Sequence, residues 1–209
     1  MGRRSEHTLD EIKAMAIAAA EKLVIEHGIS HLTTRKVAAA MGYTSGTLYL
    51  VFKNVDDLIL QINGRSLDKM QQHMRDFAQG EKAPRERVKA LCMGYLDYAN
   101  MNPNLWSLVF ENRWTGGFSR PSWYQAKKMA CFAPLEEELK LLAKGRSEDE
   151  VALAAGALWS AVHGVQVLHA TGKLEAARTS PLGRLAVFQV ENFLRGFLSG
   201  AKADARLKS

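Results

Sequence analysis

Apolar residues recur at spacings of three and four along almost the whole chain, and no segment alternates apolar and polar positions as a half-buried strand does. The pattern predicts an all-α protein of about nine helices. The first opens at Thr8, with Glu11 three residues on as in a capping box, and carries Ile12, Met15, Ala16, Ala19, Leu23 and Val24 on one face until Gly28 ends it in a left-handed cap. Thr33 caps a short second helix over 34–41, which Gly42 stops. A third runs from about Ser45 to Phe52, and Asn54 caps a fourth with Leu58, Ile59, Ile62, Leu67, Met70 and Met74 inward. Pro84 opens a fifth, and the turn Asn102-Pro103-Asn104 leads into a short aromatic sixth. After a Gly-rich loop over 115–121, a seventh helix is expected from Trp123 to about Ala143. Ser147 and Glu150 form a capping box for an eighth that ends near Gly172, and Pro181 opens a ninth reaching about Ser199.

A length of 209 residues admits one large domain or a small one joined to a medium one, and 47% hydrophobic content excludes a disordered chain. Short, charge-balanced helices give way to long apolar ones near residue 55. Two domains are therefore expected, 1–55 and 56–209. Charged residues are expected to break every apolar run before the ~18–20 residues that a bilayer crossing needs. The polar start, Met1 to Asp10, lacks the apolar centre of a signal peptide, so a cytoplasmic protein with no membrane partner is expected. Cys92 and Cys131 lie far apart with no CxxC partner, and His163 and His169 are six residues apart, on different sides of a helix. No metal site or cofactor is expected. HExxH, GxSxG, P-loop and GxGxxG motifs are absent, which speaks against an enzyme. A cofactor-free helical enzyme or a lipid carrier remains the second reading.

Charge changes the picture locally. The net charge is +6, but between His27 and Lys53 there are three positive residues (Arg35, Lys36, Lys53) and no acid. That stretch holds the second and third helices and the Gly42-Tyr43-Thr44 turn, the layout of a helix-turn-helix, in which the second helix can enter the major groove of DNA. Thr44, Ser45 and Thr47 supply hydroxyls, Gly46 permits close approach, and Tyr49 offers a ring and an OH. Arg3 and Arg4 form a basic arm ahead of the first helix.

Leu32 to Leu58, with its core Gly42-Tyr-Thr-Ser-Gly-Thr-Leu-Tyr-Leu-Val-Phe52, resembles the N-terminal domain of the tetracycline-repressor family. Leu158-Trp-Ser-Ala-Val-His-Gly164 resembles the Trp-x-x-x-His-Gly signature of one subgroup. The resemblance implies a DNA-binding transcriptional regulator, more often a repressor, that reads a palindromic double-stranded operator as a homodimer and responds to a small-molecule effector. It implies DNA contacts at Thr33, Thr34, Arg35, Tyr43, Thr44, Ser45, Gly46, Thr47, Tyr49 and Lys53. Two positions depart from the family pattern: Val51 stands for a frequent histidine and Val55 for a frequent phosphate-binding lysine. Lys53 and the N-terminus of the fourth helix are expected to substitute.

The C-terminal part offers two further candidates. Ala152, Gly156, Ser160 and Gly164 form a small-residue stripe on the eighth helix, and the ninth is apolar at helical spacing. Gly156, Trp159, Ser160, Gly164, Leu168, Phe193 and Phe197 suit a four-helix dimer interface, or close packing within one chain. Six of the 17 aromatic residues, Trp106, Phe110, Trp114, Phe118, Trp123 and Tyr124, fall within residues 106–124. These suit either plain core or, with Tyr95, Met129 and His163, the pocket of an apolar or aromatic effector.

Overall fold

The computed structural model describes residues 7–112, 120–174 and 182–207, and among these the helices begin where their caps lie. α1 (Leu9–His27) starts on Thr8: its hydroxyl oxygen accepts from the Glu11 N–H, and the Glu11 carboxylate accepts from the Thr8 N–H at 2.7 Å. Gly28 ends it with φ +74° and ψ 176°. The positive φ suits glycine, but the extended ψ departs from the expected left-handed cap and feeds a 3-10 turn over Ile29–His31. α2 (Thr34–Met41) begins on Thr33, whose hydroxyl accepts from the Lys36 N–H, and closes on Gly42 in the left-handed region.

α3 (Ser45–Leu48) is one turn long, shorter than the expected helix to Phe52. Tyr49, Val51 and Phe52 are aromatic or β-branched, poor material for extending so short a helix, and the chain continues in turns through Val51. α4 (Val55–Ala78), α5 (Pro84–Met101) and α6 (Pro103–Phe110) follow. The expected seventh helix is two, α7 (Ser122–Ala130) and α8 (Ala133–Leu142). The cause is Pro134: it has no N–H for the Ala130 carbonyl, and its ring crowds that carbonyl. Gln71 Nε2 donates to the freed Ala130 oxygen instead. With α9 (Glu148–Ala170) and α10 (Leu182–Leu207), the described residues form ten α-helices and no strand.

Packing divides the chain into two compact units, Met1–Leu67 with Asn102–Tyr124, and Asp68–Met101 with Gln125–Ser209. It does not follow a single cut at residue 55. In the first unit, Leu58 and Ile62 of α4 and Leu105 and Leu108 of α6 are buried in one cluster with Val24, Val37 and Leu48. Two amides hold α6 there: Asn104 Nδ2 donates to the Ile25 carbonyl (3.0 Å) and Asn63 Nδ2 to the Leu108 carbonyl (3.2 Å).

In the second unit α5, α8, α9 and α10 pack on one another around Leu91, Leu96, Leu139, Leu158 and Leu194. Gly94 lets the end of α4 come close: a Cβ there would lie 2.8 Å from Phe77 Cβ and 3.0 Å from Met74 Cα. Burial pushes both thiols, Cys92 and Cys131, up to about 12, so they behave as small apolar side chains.

The expectation that charge breaks every apolar run fails at α9. Val151 to Ala170 contains no Asp, Glu, Lys or Arg, and the helix is long and apolar enough to cross a membrane. Core helices of water-soluble folds meet the same criterion, and α9 packs against α5, α8 and α10 with Val151, Ala154, Leu158 and Val162 buried.

Candidate nucleic-acid interface

Two side chains fix the single turn of α3. Leu48 is 2% exposed and Phe52 4%, and both sit in the core that also holds Val37 and Ala38 of α2. Anchored on that side, α3 turns its other side outward. Thr44 and Gly46 are exposed, Ser45 and Thr47 half-buried, and Tyr49 is 58% exposed, which removes it from the core. Thr44 caps α3 without giving its side chain to the helix. Thr33, Arg35 and Lys36 at the start of α2 are exposed, as is Lys53, with Thr34 half-buried between them. Tyr43 is tied internally, its OH 2.7 Å from His7 Nδ1.

The result is a surface of hydroxyls, one tyrosine and three cations. It matches what phosphate and base-edge contacts require. Arg3 and Arg4, the expected basic arm, lie outside the described residues.

The N-terminus of α4, expected to hold a phosphate, carries acidic groups of its own. Asn54 Oδ1 already accepts from the Asp57 N–H at 2.9 Å, the Asp57 carboxylate accepts from the Lys53 N–H at 3.2 Å, and Asp56 adds a second negative charge in the first turn. The helix dipole there is answered by the chain's own carboxylates, which repel an incoming phosphate. Val51 and Val55, in place of the frequent histidine and lysine, pack against the core.

Two family models match the chain: residues 16–62 match bacterial regulatory proteins of the tetR family, and residues 88–193, more than half the chain, match the tetracyclin repressor-like C-terminal domain. The chain belongs to the tetracycline-repressor family. It is a DNA-binding, helix-turn-helix transcriptional regulator of the ligand-responsive kind. A comparison with curated proteins finds no match.

Solved structures share the fold. A protein with unknown function from Rhodococcus sp. RHA1 superposes with TM-score 0.72 at 18% identity, over 93% of this chain and 98% of that one. A TetR transcriptional regulator from the same organism gives 0.66 at 15% identity, over 90% and 98%. The regulator FadR from Bacillus subtilis, in complex with stearoyl-CoA, gives 0.63 at 18%, over 88% and 98%.

The residues considered for an effector are shared between the two units of this family member. Trp106, Phe110, Trp123 and Tyr124 belong to the first. There Trp106 and Tyr124 are each 2% exposed, and the ring pairs Trp106–Phe110 and Trp123–Tyr124 lie 5.5 and 5.7 Å apart. Trp114 and Phe118 lie outside the described residues. Tyr95, Met129 and His163 belong to the second unit. Tyr95 OH is 2.6 Å from His163 Nδ1, and the Trp159 ring stacks on His163 at 4.6 Å, with Phe132, not singled out from the sequence, edge-on to Trp159 at 5.3 Å.

Met129 is 73% exposed. The second unit also has a polar cleft of about 480 Å³ that the sequence did not announce. Its arginines are engaged by glutamates, Arg75 with Glu137 and Arg87 with Glu138 at 2.6 Å, so it offers little to an apolar ligand.

Of the candidate interface residues, Gly156 and Gly164 each have open space where a Cβ would stand, and Ser160 and Leu168 are exposed. Trp159 is turned into the Tyr95–His163 cluster, and Phe193 stacks on Phe197 beneath the Arg146 guanidinium. Two exposed apolar residues extend this set, Leu153 (76%) on α9 and Phe188 (67%) on α10. Both have the plain apolar character of core positions, so their spacing alone did not mark them.

Proposed function

We propose that the chain is a repressor that binds a palindromic operator as a homodimer and leaves it when a small apolar or aromatic effector binds. The observation that carries this is α3: pinned from behind by Leu48 and Phe52, it presents Thr44, Gly46 and Tyr49 outward beside Arg35, Lys36 and Lys53, with no acid between His27 and Lys53. One such unit reads too few base pairs for useful specificity, so two chains act on half-sites about one helical turn apart or a multiple of it.

Residues 1–55 supply the DNA contacts; the ligand and interface residues come from 56–209. The open glycine positions of α9 and the exposed Leu153 and Leu168 support a second copy on that face. Stearoyl-CoA in the Bacillus subtilis regulator supports an effector with an apolar body. The effector acts by population shift and is limited to its differential affinity for the DNA-competent and incompetent forms. The reading contains no catalytic step and places the protein in the cytoplasm with its DNA.

Selection of bound fragments from random duplexes tests it. One two-fold symmetric sequence is expected, with affinity falling steeply between roughly 50 and 200 mM salt as phosphate contacts are screened. Apolar acyl or aromatic compounds that release it should also change tryptophan fluorescence. Binding without sequence preference or without salt dependence overturns the reading.

A further inference from the structure

Four apolar residues follow α3 before α4 is under way: Leu50, Val51, Phe52 and Val55. Three have a structural reason to be apolar, since Phe52 is buried and Val51 and Val55 pack against the core of the first unit. Leu50 has none, at 67% exposed. An isolated exposed leucine needs no explanation in general; here its place supplies one.

The Leu50 N–H bonds to the Thr47 carbonyl and the Val51 N–H to the Leu48 carbonyl, so the chain keeps turning beyond α3 as a helix would. Leu50 thereby shares a side with Gly46 and Thr47, four and three residues back. That is the side turned away from Leu48 and Phe52. Gly46 leaves the neighbouring surface low: a Cβ there would meet only Thr44 Oγ1, at 3.8 Å.

Leucine has no donor or acceptor for a phosphate or a polar base edge. The apolar feature that the major groove displays is the 5-methyl group of thymine. We infer that Leu50 is a specificity-determining residue that reads one thymine in each half-site through that methyl group. The inference rests on the DNA-binding reading above and deepens it, adding what the surface recognises.

The test uses the operator recovered by selection. Each thymine is replaced in turn by deoxyuridine, which keeps every hydrogen-bonding edge and lacks only the methyl, and the duplexes are titrated with the wild-type protein, Leu50→Ala and Leu50→Met. At one thymine of each half-site, deoxyuridine should weaken wild-type binding about four-fold, the scale of one buried methyl, and about fifteen-fold when both half-sites carry it. Leu50→Ala should show no such penalty there, and Leu50→Met, which keeps an apolar reach, should retain it. Leu50 is exposed, so all three proteins should melt alike. If no thymine position behaves this way, or if the penalty is the same in wild type and Leu50→Ala, the inference is overturned while the operator stands. If selection recovers no preferred duplex, the DNA-binding reading fails first and takes the inference with it.

Discussion

At positions 51 and 55 valines stand where related sequences often carry histidine and lysine, and both lie against the core of the first unit. Each replacement removes a side chain suited to phosphate and adds packing. Val55 also sits beside Asp56 and Asp57, so this corner of the interface carries negative charge. Val55→Lys is expected to restore one phosphate contact in each chain: operator affinity rises, and the slope of log affinity against log salt steepens by about 1.8 for the dimer, read from titrations at several salt concentrations. An unchanged slope would mean that no phosphate comes within reach of this position. The valines were legible as departures from a pattern; the hydrogen bonds that Asn54 and Asp57 make at the helix terminus were not, because they depend on the local fold. Gly94 was not legible at all, because nothing local distinguishes a glycine admitted by a neighbouring helix from one tolerated on a surface. Gly94→Ala places a methyl 2.8 Å from Phe77 Cβ and should lower unfolding free energy by about 1–3 kcal/mol in urea titrations, the usual cost of overpacking. Gly196→Ala, with open space around its Cβ, should not destabilise and serves as the control.

Helix starts were the most legible elements because their chemistry is local: Thr8 with Glu11, Thr33, and Ser147 with Glu150 all cap as their spacing predicts. Helix ends and lengths were less so. Pro134 divides one expected helix into two, and α3 stops after a turn, the chain bending on so that Val51 and Phe52 reach the core while Tyr49 and Leu50 stay exposed. The two capping boxes make stability depend on acid. Glu11 is held below the usual carboxylate value of 4.5 first by the Thr8 N–H and then by the Thr8 hydroxyl. Glu150 is lowered from the same value first by the Ser147 N–H and then by Arg146. Because the folded values lie below the unfolded ones, these carboxylates stabilise the fold fully above 4.5, and their contribution is lost as pH falls from there through the lowered folded values. The double variant Glu11→Gln, Glu150→Gln keeps an acceptor at both boxes but has no proton to gain. Its urea midpoint should therefore fall less than that of the wild type on acidification below 4.5. Parallel curves for the two proteins would show that other carboxylates govern the acid response.

Across the whole chain, what remained hidden was which segments share a core. Composition placed a boundary near 55, yet α6, far along the sequence, belongs with α1 to α3 because Leu105 and Leu108 bury there and Asn104 bonds to the end of α1. Hydrophobic periodicity reports which side of a helix is buried, not what buries it. The same ambiguity applies to the aromatic residues, which divide between the units, and to the stripe on α9, which suited a neighbouring helix of either the same chain or another. Among the described residues, nothing beyond α9's own neighbouring residues lies within 4 Å of a Cβ at Gly156 or Gly164, and Leu153 stands 76% exposed near the start of the helix. A face that is small, apolar and unfilled fits the close approach of a second helix. Gly164→Trp puts a large ring into that approach from a position where a Cβ meets no other element of its own chain, so it separates the two origins. If the partner is a second copy, the variant should sediment as a monomer at concentrations where the wild type is a dimer, with its unfolding midpoint in dilute solution little changed. Its operator affinity should then drop sharply, because one helix-turn-helix no longer brings the other. A variant that remains dimeric would place the interface elsewhere, on a face that leaves Gly164 free.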